Sequence, residues 1–258
     1  MRRNKQWVAL QIVYGAVIDE IEKLFTAQGY AFMPIKGAYL IRSGLSGQIS
    51  ERCMRDIDLL VPERQFQEIC SWFEALENVA PQKICAEFER PSLYYFSGIP
   101  VCIELHRLIN SSARFLLPNE VLFNRGVVGD TSCIFPDPVD ALLIHICHKM
   151  IHVIDGFEDQ FYWEIALLAR QNGFSWKMFW SRVESTGIVG FIWCVLYKYE
   201  KLFNAKCQLP RTPSLYAFLL SRCGIFMRCK NASLRRLFFE VPFVRDLIGM
   251  VVYTRTRR

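Results

Sequence analysis

Asp56 and Asp58 stand two positions apart at the head of an apolar run, in the stretch RDIDLLV at residues 55–61. Residues two apart on a strand point to the same face. Both carboxylates would therefore project together, while Leu59, Leu60 and Val61 anchor the strand in a core. Like charges side by side are unfavourable unless something neutralises them. A divalent cation that prefers oxygen ligands does so best. The same pattern also suits a strand N-terminus with two solvated aspartates, and the D-x-D spacing alone does not separate the two.

Composition narrows the setting. The chain has 258 residues, 52% hydrophobic and 22% charged, which fits one large domain or two smaller ones. Its formal net charge of +6 gathers at the ends, in Arg2, Arg3 and Lys5 and in Arg255, Arg257 and Arg258. That balance admits phosphate-bearing ligands but is too modest to indicate nucleic acid. The ten cysteines are scattered with no C-x-x-C pair, which argues against a zinc ribbon and for a reduced, cytoplasmic setting. Trp7 to Val17 is mostly apolar, but Gln11 interrupts it and the pattern continues through Ile18, Ile21, Leu24 and Phe25 at helical spacing. A helix is therefore expected there rather than a secretory signal. No uninterrupted apolar run reaches the roughly 18 residues of a membrane span.

The first half mixes helix and strand signals. Periodicity predicts an amphipathic helix over 7–28, ended by Gly29, then a short strand over 31–35 running into Lys36-Gly37 and a short helix over 38–42. A polar loop leads to the strand at 57–61. Pro62 suits the first turn of a helix reaching about Leu76. Strands are expected at 83–88, 92–97 and 100–106, with Ser97-Gly98 as the turn between the last two. After the prolines of IFPDPVD the pattern becomes helical. Asp137 or Asp140 would cap a helix over 141–153, followed by helices near 158–171, 175–186, 188–203 and 213–228, and an amphipathic segment over 233–253. The boundary is placed near residue 136.

Another carboxylate extends the acidic pattern. VCIELH at 101–106 is a strand pattern with one charged side chain, Glu104, among apolar neighbours. A glutamate in a core strand is costly unless it lies at an edge, is paired or binds a cation. If this strand lies beside that of Asp58, three carboxylates converge on one or two magnesium ions, an arrangement able to clamp the attacking and leaving oxygens of a phosphoryl displacement.

KGAYL at 36–40, RDIDLLV at 55–61 and IELH at 103–106, in that order, resemble the nucleotidyltransferase superfamily that includes DNA polymerase beta. The closer resemblance is to the bacterial family described as uncharacterised nucleotidyltransferases, whose histidine-bearing helix DALLIHICHKMIH at 140–152 is similar to. The resemblance covers roughly residues 8–205. It implies an α+β fold: a nucleotidyltransferase-like catalytic domain over 1–135, with a mixed sheet and flanking helices, followed by an all-helical domain over 136–258.

The resemblance also implies roles. Asp56 and Asp58 become the metal-binding pair and Glu104 the third ligand and catalytic carboxylate, holding Mg2+ or Mn2+. Gly37 falls at the turn where the superfamily holds nucleotide phosphates on backbone amides. The serine of the usual Gly-Ser is absent here, and Lys36 supplies a positive charge in its place. Arg55 either touches phosphate or pairs with a carboxylate. His106, two residues after Glu104, would share its strand face and either lies in the site or makes a local bond. His145, His148 and His152 fall on one helix face, as a stripe toward nucleotide or acceptor, a zinc or iron site, or a structural feature.

The expected activity is transfer of a nucleoside monophosphate from a nucleoside triphosphate to a hydroxyl or phosphate acceptor, with release of pyrophosphate. The acceptor is open: a small molecule, a peptide, a protein or RNA. The alternative is a non-catalytic nucleotide-binding or accessory protein with the same fold. The segment LFFEVPFVRDLIGMVVY, followed by TRTRR, is amphipathic and basic, suited to contact with a partner or an anionic membrane surface or to packing on its own domain.

Overall fold

The computed structural model describes residues 5–45, 54–82, 89–109, 117–128, 132–149 and 159–210. The strand expected at 83–88, the helices expected beyond residue 210, the C-terminal basic segment and His152 lie outside these residues. Contacts divide the chain into two compact units, the first running through Ile109 and from Leu117 to His145, the second continuing from Ile146.

The first unit opens with α1 (Lys5–Gln28), which buries Tyr14, Val17, Ile18, Ile21 and Phe25, every third or fourth residue. Gly29 ends it with φ 73°, and the Tyr30 amide donates back to the Phe25 carbonyl at 3.0 Å, a closure that requires a left-handed residue and so favours glycine. Next come β1 (Met33–Pro34) and α2 (Lys36–Arg42). The guanidinium of Arg42 pairs with Asp19 and Glu22, tying α2 to α1.

β2 (Asp56–Leu60) leads through a 3-10 turn (Glu63–Gln65) into α3 (Phe66–Glu74). Pro62 stands just before that turn rather than inside an α-helix. β3 (Val79–Pro81), β4 (Glu89–Phe96) and β5 (Ile99–His106) follow. Ser97 and Gly98, both at positive φ, join β4 to β5 in the two-residue form whose twist suits a hairpin. α4 (Asn119–Arg125), β6 (Val127–Val128) and β7 (Ile134–Phe135) complete the unit up to α5 (Pro138–Lys149). Asp137 caps α5, its Oδ1 accepting from the Val139 and Asp140 amides at 2.8 and 3.0 Å.

Five strands form a mixed sheet in the order β1-β2-β5-β4-β3, in which β2 and β5 run parallel and the other pairs antiparallel. One sheet face, with Ile57, Leu59, Val101, Ile103, Leu105 and Tyr94, packs against Ile18, Ile21 and Phe25 of α1 and Phe66, Ile69 and Phe73 of α3. This face is the hydrophobic core, and its burial leaves the alternate positions of β2 and β5 facing the other way.

The second unit contains α6 (Asp159–Leu168), α7 (Trp176–Glu184) and α8 (Val189–Phe203). Ser175 caps α7 by accepting from the Met178 amide, and Asn204, left-handed, ends α8. The indole N–H of Trp180 donates to the Cys207 carbonyl at 2.8 Å and that of Trp193 to Pro210 at 3.2 Å, which holds the following segment on the helices. The α+β class read from the sequence is the observed one.

Candidate functional site

Register places the acidic residues. Across the parallel pair β2–β5, Asp56 lies opposite Cys102, Asp58 opposite Glu104 and Leu60 opposite His106. Opposed residues of neighbouring strands share a face, so Asp56, Asp58, Glu104 and His106 stand together on the face turned away from the α1–α3 core. The antiparallel pair β4–β5 adds Glu89, opposite His106, to the same face.

Asp58 is the centre of the group, with only 2% of its side chain exposed. His106, equally buried, places Nε2 2.9 Å from Asp58 Oδ1 and 3.5 Å from Glu104 Oε2. Its other nitrogen, Nδ1, lies 4.0 Å from Glu89 Oε2. The ammonium of Lys36 contacts Asp58 Oδ1. Asp58, Glu104 and His106 each offer one ligand atom within 4.8 Å of the others. Two carboxylates and an imidazole make a donor set that suits a divalent cation accepting oxygen and nitrogen ligands. Glu104 and Glu89 keep part of their side chains open to solvent, so the group is reachable.

The electrostatics follow from crowding. Burial and then the charge of Asp58 push the Asp56 carboxyl up to about 6, with Glu104 adding to the rise while Lys36 and His106 oppose it. Burial, helped by Glu104 and Asp58 and opposed by His106 and Lys36, raises Glu89 as well. For His106 burial works against protonation, but the hydrogen bonds to Asp58 and Glu104 prevail and lift it above the ordinary imidazole value. Burial and the surrounding carboxylates drive the Cys102 thiol up to about 12, which keeps it protonated and a poor nucleophile.

Lys36 occupies an unusual corner. It follows Ile35, whose amide donates to the Asp58 carbonyl at 3.1 Å, and takes φ 50° at the head of α2. A residue with a side chain is uncommon at positive φ. Gly37 is buried in the first turn of α2. Arg55 is exposed just ahead of β2.

Among the described residues the cluster of metal-ligating groups is Asp58, Glu104 and His106. Asp56 shares their face without being one of those three. His145 and His148 are buried on α5 and belong to no such cluster among the described residues. Glu89 escaped the sequence reading because it lies beyond the strand expected at 92–97. The two-residue turn at Ser97-Gly98 carried the signal: counting back from it along the hairpin sets Glu89 beside His106.

A model of a family described as an uncharacterised nucleotidyltransferase matches residues 2–204. Neither the curated proteins nor the solved structures give a match.

Proposed function

The chain belongs to the uncharacterised nucleotidyltransferase family, and from that premise we propose that it transfers a nucleoside monophosphate from a nucleoside triphosphate to a hydroxyl or phosphate acceptor. The observation that carries this reading is the side-by-side placement of Asp58 and Glu104 on adjacent parallel strands, with Asp56 on the same face. Asp58, Glu104 and His106 would hold a divalent cation, Mg2+ or Mn2+, with Asp56 beside them. Such an ion, when bound, supplies positive charge for the phosphate oxygens.

The chain's own residues have distinct parts. Lys36 and Arg55 provide positive charge for the triphosphate, and Gly37 lets it approach the backbone closely. An acceptor oxygen forms a bond to the α-phosphorus while the bond to pyrophosphate breaks. The proton of a hydroxyl acceptor passes to Glu104, whose carboxylate is partly exposed and therefore within reach of an incoming group. Positive charge placed in advance stabilises the developing oxyanion, which is usually the largest catalytic contribution. His148 and His152 are proposed as substrate contacts from their spacing in the sequence alone.

Purified protein incubated with each α-labelled nucleoside triphosphate, Mg2+ or Mn2+, and acceptors of each class tests the reading. Transfer of label with release of pyrophosphate is the expected result. Metal-dependent triphosphate binding with no release of pyrophosphate would favour a non-catalytic nucleotide-binding protein instead. None of the described helices is long and apolar enough to cross a membrane.

A further inference from the structure

Resting on the metal and nucleotide reading above, we propose that Lys36 is an exchangeable internal cation. In the metal-free chain its ammonium holds Asp58; when metal and triphosphate arrive together, the ammonium leaves Asp58 for the phosphates. The geometry supplies the reason. Asp58 is buried, and a buried carboxylate needs a partner. Lys36 and His106 both contact it at Oδ1, and Oδ1 belongs to the carboxylate that a metal held by Asp58, Glu104 and His106 would use. Asp56, Glu104 and Glu89 crowd the same face, so that face holds more negative than positive charge whenever those carboxylates are ionised. A metal entering alone must displace the lysine from the most buried of these groups.

Lysine is suited to such an exchange. Its charge is compact and rides on a flexible four-carbon stem, unlike the planar fork of arginine. The backbone beneath it is fixed by contrast. The Ile35 amide is bonded to the carbonyl of Asp58 itself, and Lys36 is held at φ 50°. Strained backbone persists only where its surroundings over-determine it. The side chain can therefore swing by rotamer change while the corner stays on β2. Gly37 follows directly, so the phosphates to which the ammonium would transfer are the ones already assigned to that turn.

The exchange predicts effects of opposite sign. Without Lys36, metal alone should bind more tightly, because no charge has to be displaced. Triphosphate should bind more weakly, because its partner is gone. Metal and triphosphate should then keep only the enhancement of their direct attraction and lose the part that arises from the lysine moving between them.

The experiment titrates Mn2+ into the full chain by calorimetry and electron paramagnetic resonance, with and without adenosine α,β-methylene triphosphate. Wild type is compared with Lys36→Met, Lys36→Gly and Lys36→Arg. Lys36→Gly also relieves the left-handed backbone, so it keeps the test open if Lys36→Met does not fold. Lys36→Met and Lys36→Gly should bind Mn2+ alone about tenfold more tightly than wild type and the analogue about tenfold more weakly, while Lys36→Arg should keep Mn2+ binding weak. Mn2+ affinity in the folded Met or Gly variant equal to or below that of wild type would overturn the exchange and leave Lys36 a fixed counter-ion. Wild type binding both ligands in that case would leave the metal reading standing. Absence of Mn2+ and analogue binding in wild type and every variant would overturn both.

Discussion

His106 Nε2 stands 2.9 Å from Asp58 Oδ1, although 48 positions separate the two residues in the chain. The contact exists because β2 and β5 run parallel with Leu60 opposite His106. An imidazole is thereby placed in a site otherwise built from carboxylates. A nitrogen donor suits Mn2+ better than Mg2+, which keeps to oxygen ligands. His106→Gln should therefore lose more Mn2+ affinity than Mg2+ affinity, by about tenfold in the ratio. Competition calorimetry with the two ions reads this directly; an unchanged ratio would remove His106 from the ligand set.

Asp56 and Asp58, although two residues apart, should respond oppositely to amide substitution. The Asp56 carboxyl is raised from 3.8 to about 6. The folded state thus binds the proton more tightly than the unfolded one, and stability falls as pH rises from about 3.8 through 6, with the penalty fully present above that window. Asp56→Asn removes the penalty and should stabilise the protein at pH 7 by about 1–3 kcal/mol. Asp58→Asn instead strips Lys36 and His106 of their shared partner and should destabilise by about 2–4 kcal/mol. Denaturant melts at pH 7 and pH 5 distinguish the two variants, and the Asp56→Asn gain should shrink at the lower pH.

Metal affinity should itself depend on pH through Asp56. Protonation below about 6 lowers the negative charge of the face, so Mn2+ binding by wild type should weaken between pH 7 and pH 5. Asp56→Asn should make that part of the profile shallower at a lower overall affinity, leaving the dependence that comes from His106, whose imidazole must lose its proton to act as a ligand. An equally steep profile in the variant would assign the titration to another group.

Gly37 is buried within the first turn of α2. Gly37→Val adds a branched side chain at a buried position, and should cost about 1–3 kcal/mol. Nucleoside triphosphate binding should fall further than nucleoside binding, since the feature lost is the approach of phosphate to the backbone. Equal loss for the two would take Gly37 out of the phosphate turn.

Much of the first unit was legible because its signals are local. Alternation around Asp56 and Asp58 marked β2, the pair Ser97-Gly98 marked the hairpin, and the spacing of Val17, Ile18, Ile21 and Phe25 marked α1. The short pieces were not legible. β3 ends on Pro81 and β6 and β7 contain two residues each, too few for a period to show. Their existence depends on neighbours distant in sequence, as when the Ile134 amide donates to the Phe32 carbonyl at 2.9 Å. The partner of Lys36 was missed for a similar reason. Sequence suggested a charge for phosphate, whereas its contact with Asp58 depends on the left-handed corner at Ile35-Lys36, which no residue type announces.

The turn at Ser97-Gly98 has a reach well beyond its own two residues. It fixes Phe96 against Ile99 and, through the ladder, Glu89 against His106. One residue inserted there would slide β4 by a single step and, because side chains alternate, exchange its two faces. Glu89 would then point into the α1–α3 core and Ser92 and Tyr94 out of it. The number of acidic groups around His106 is thus set at the far end of a hairpin, by the length of a loop that touches none of them.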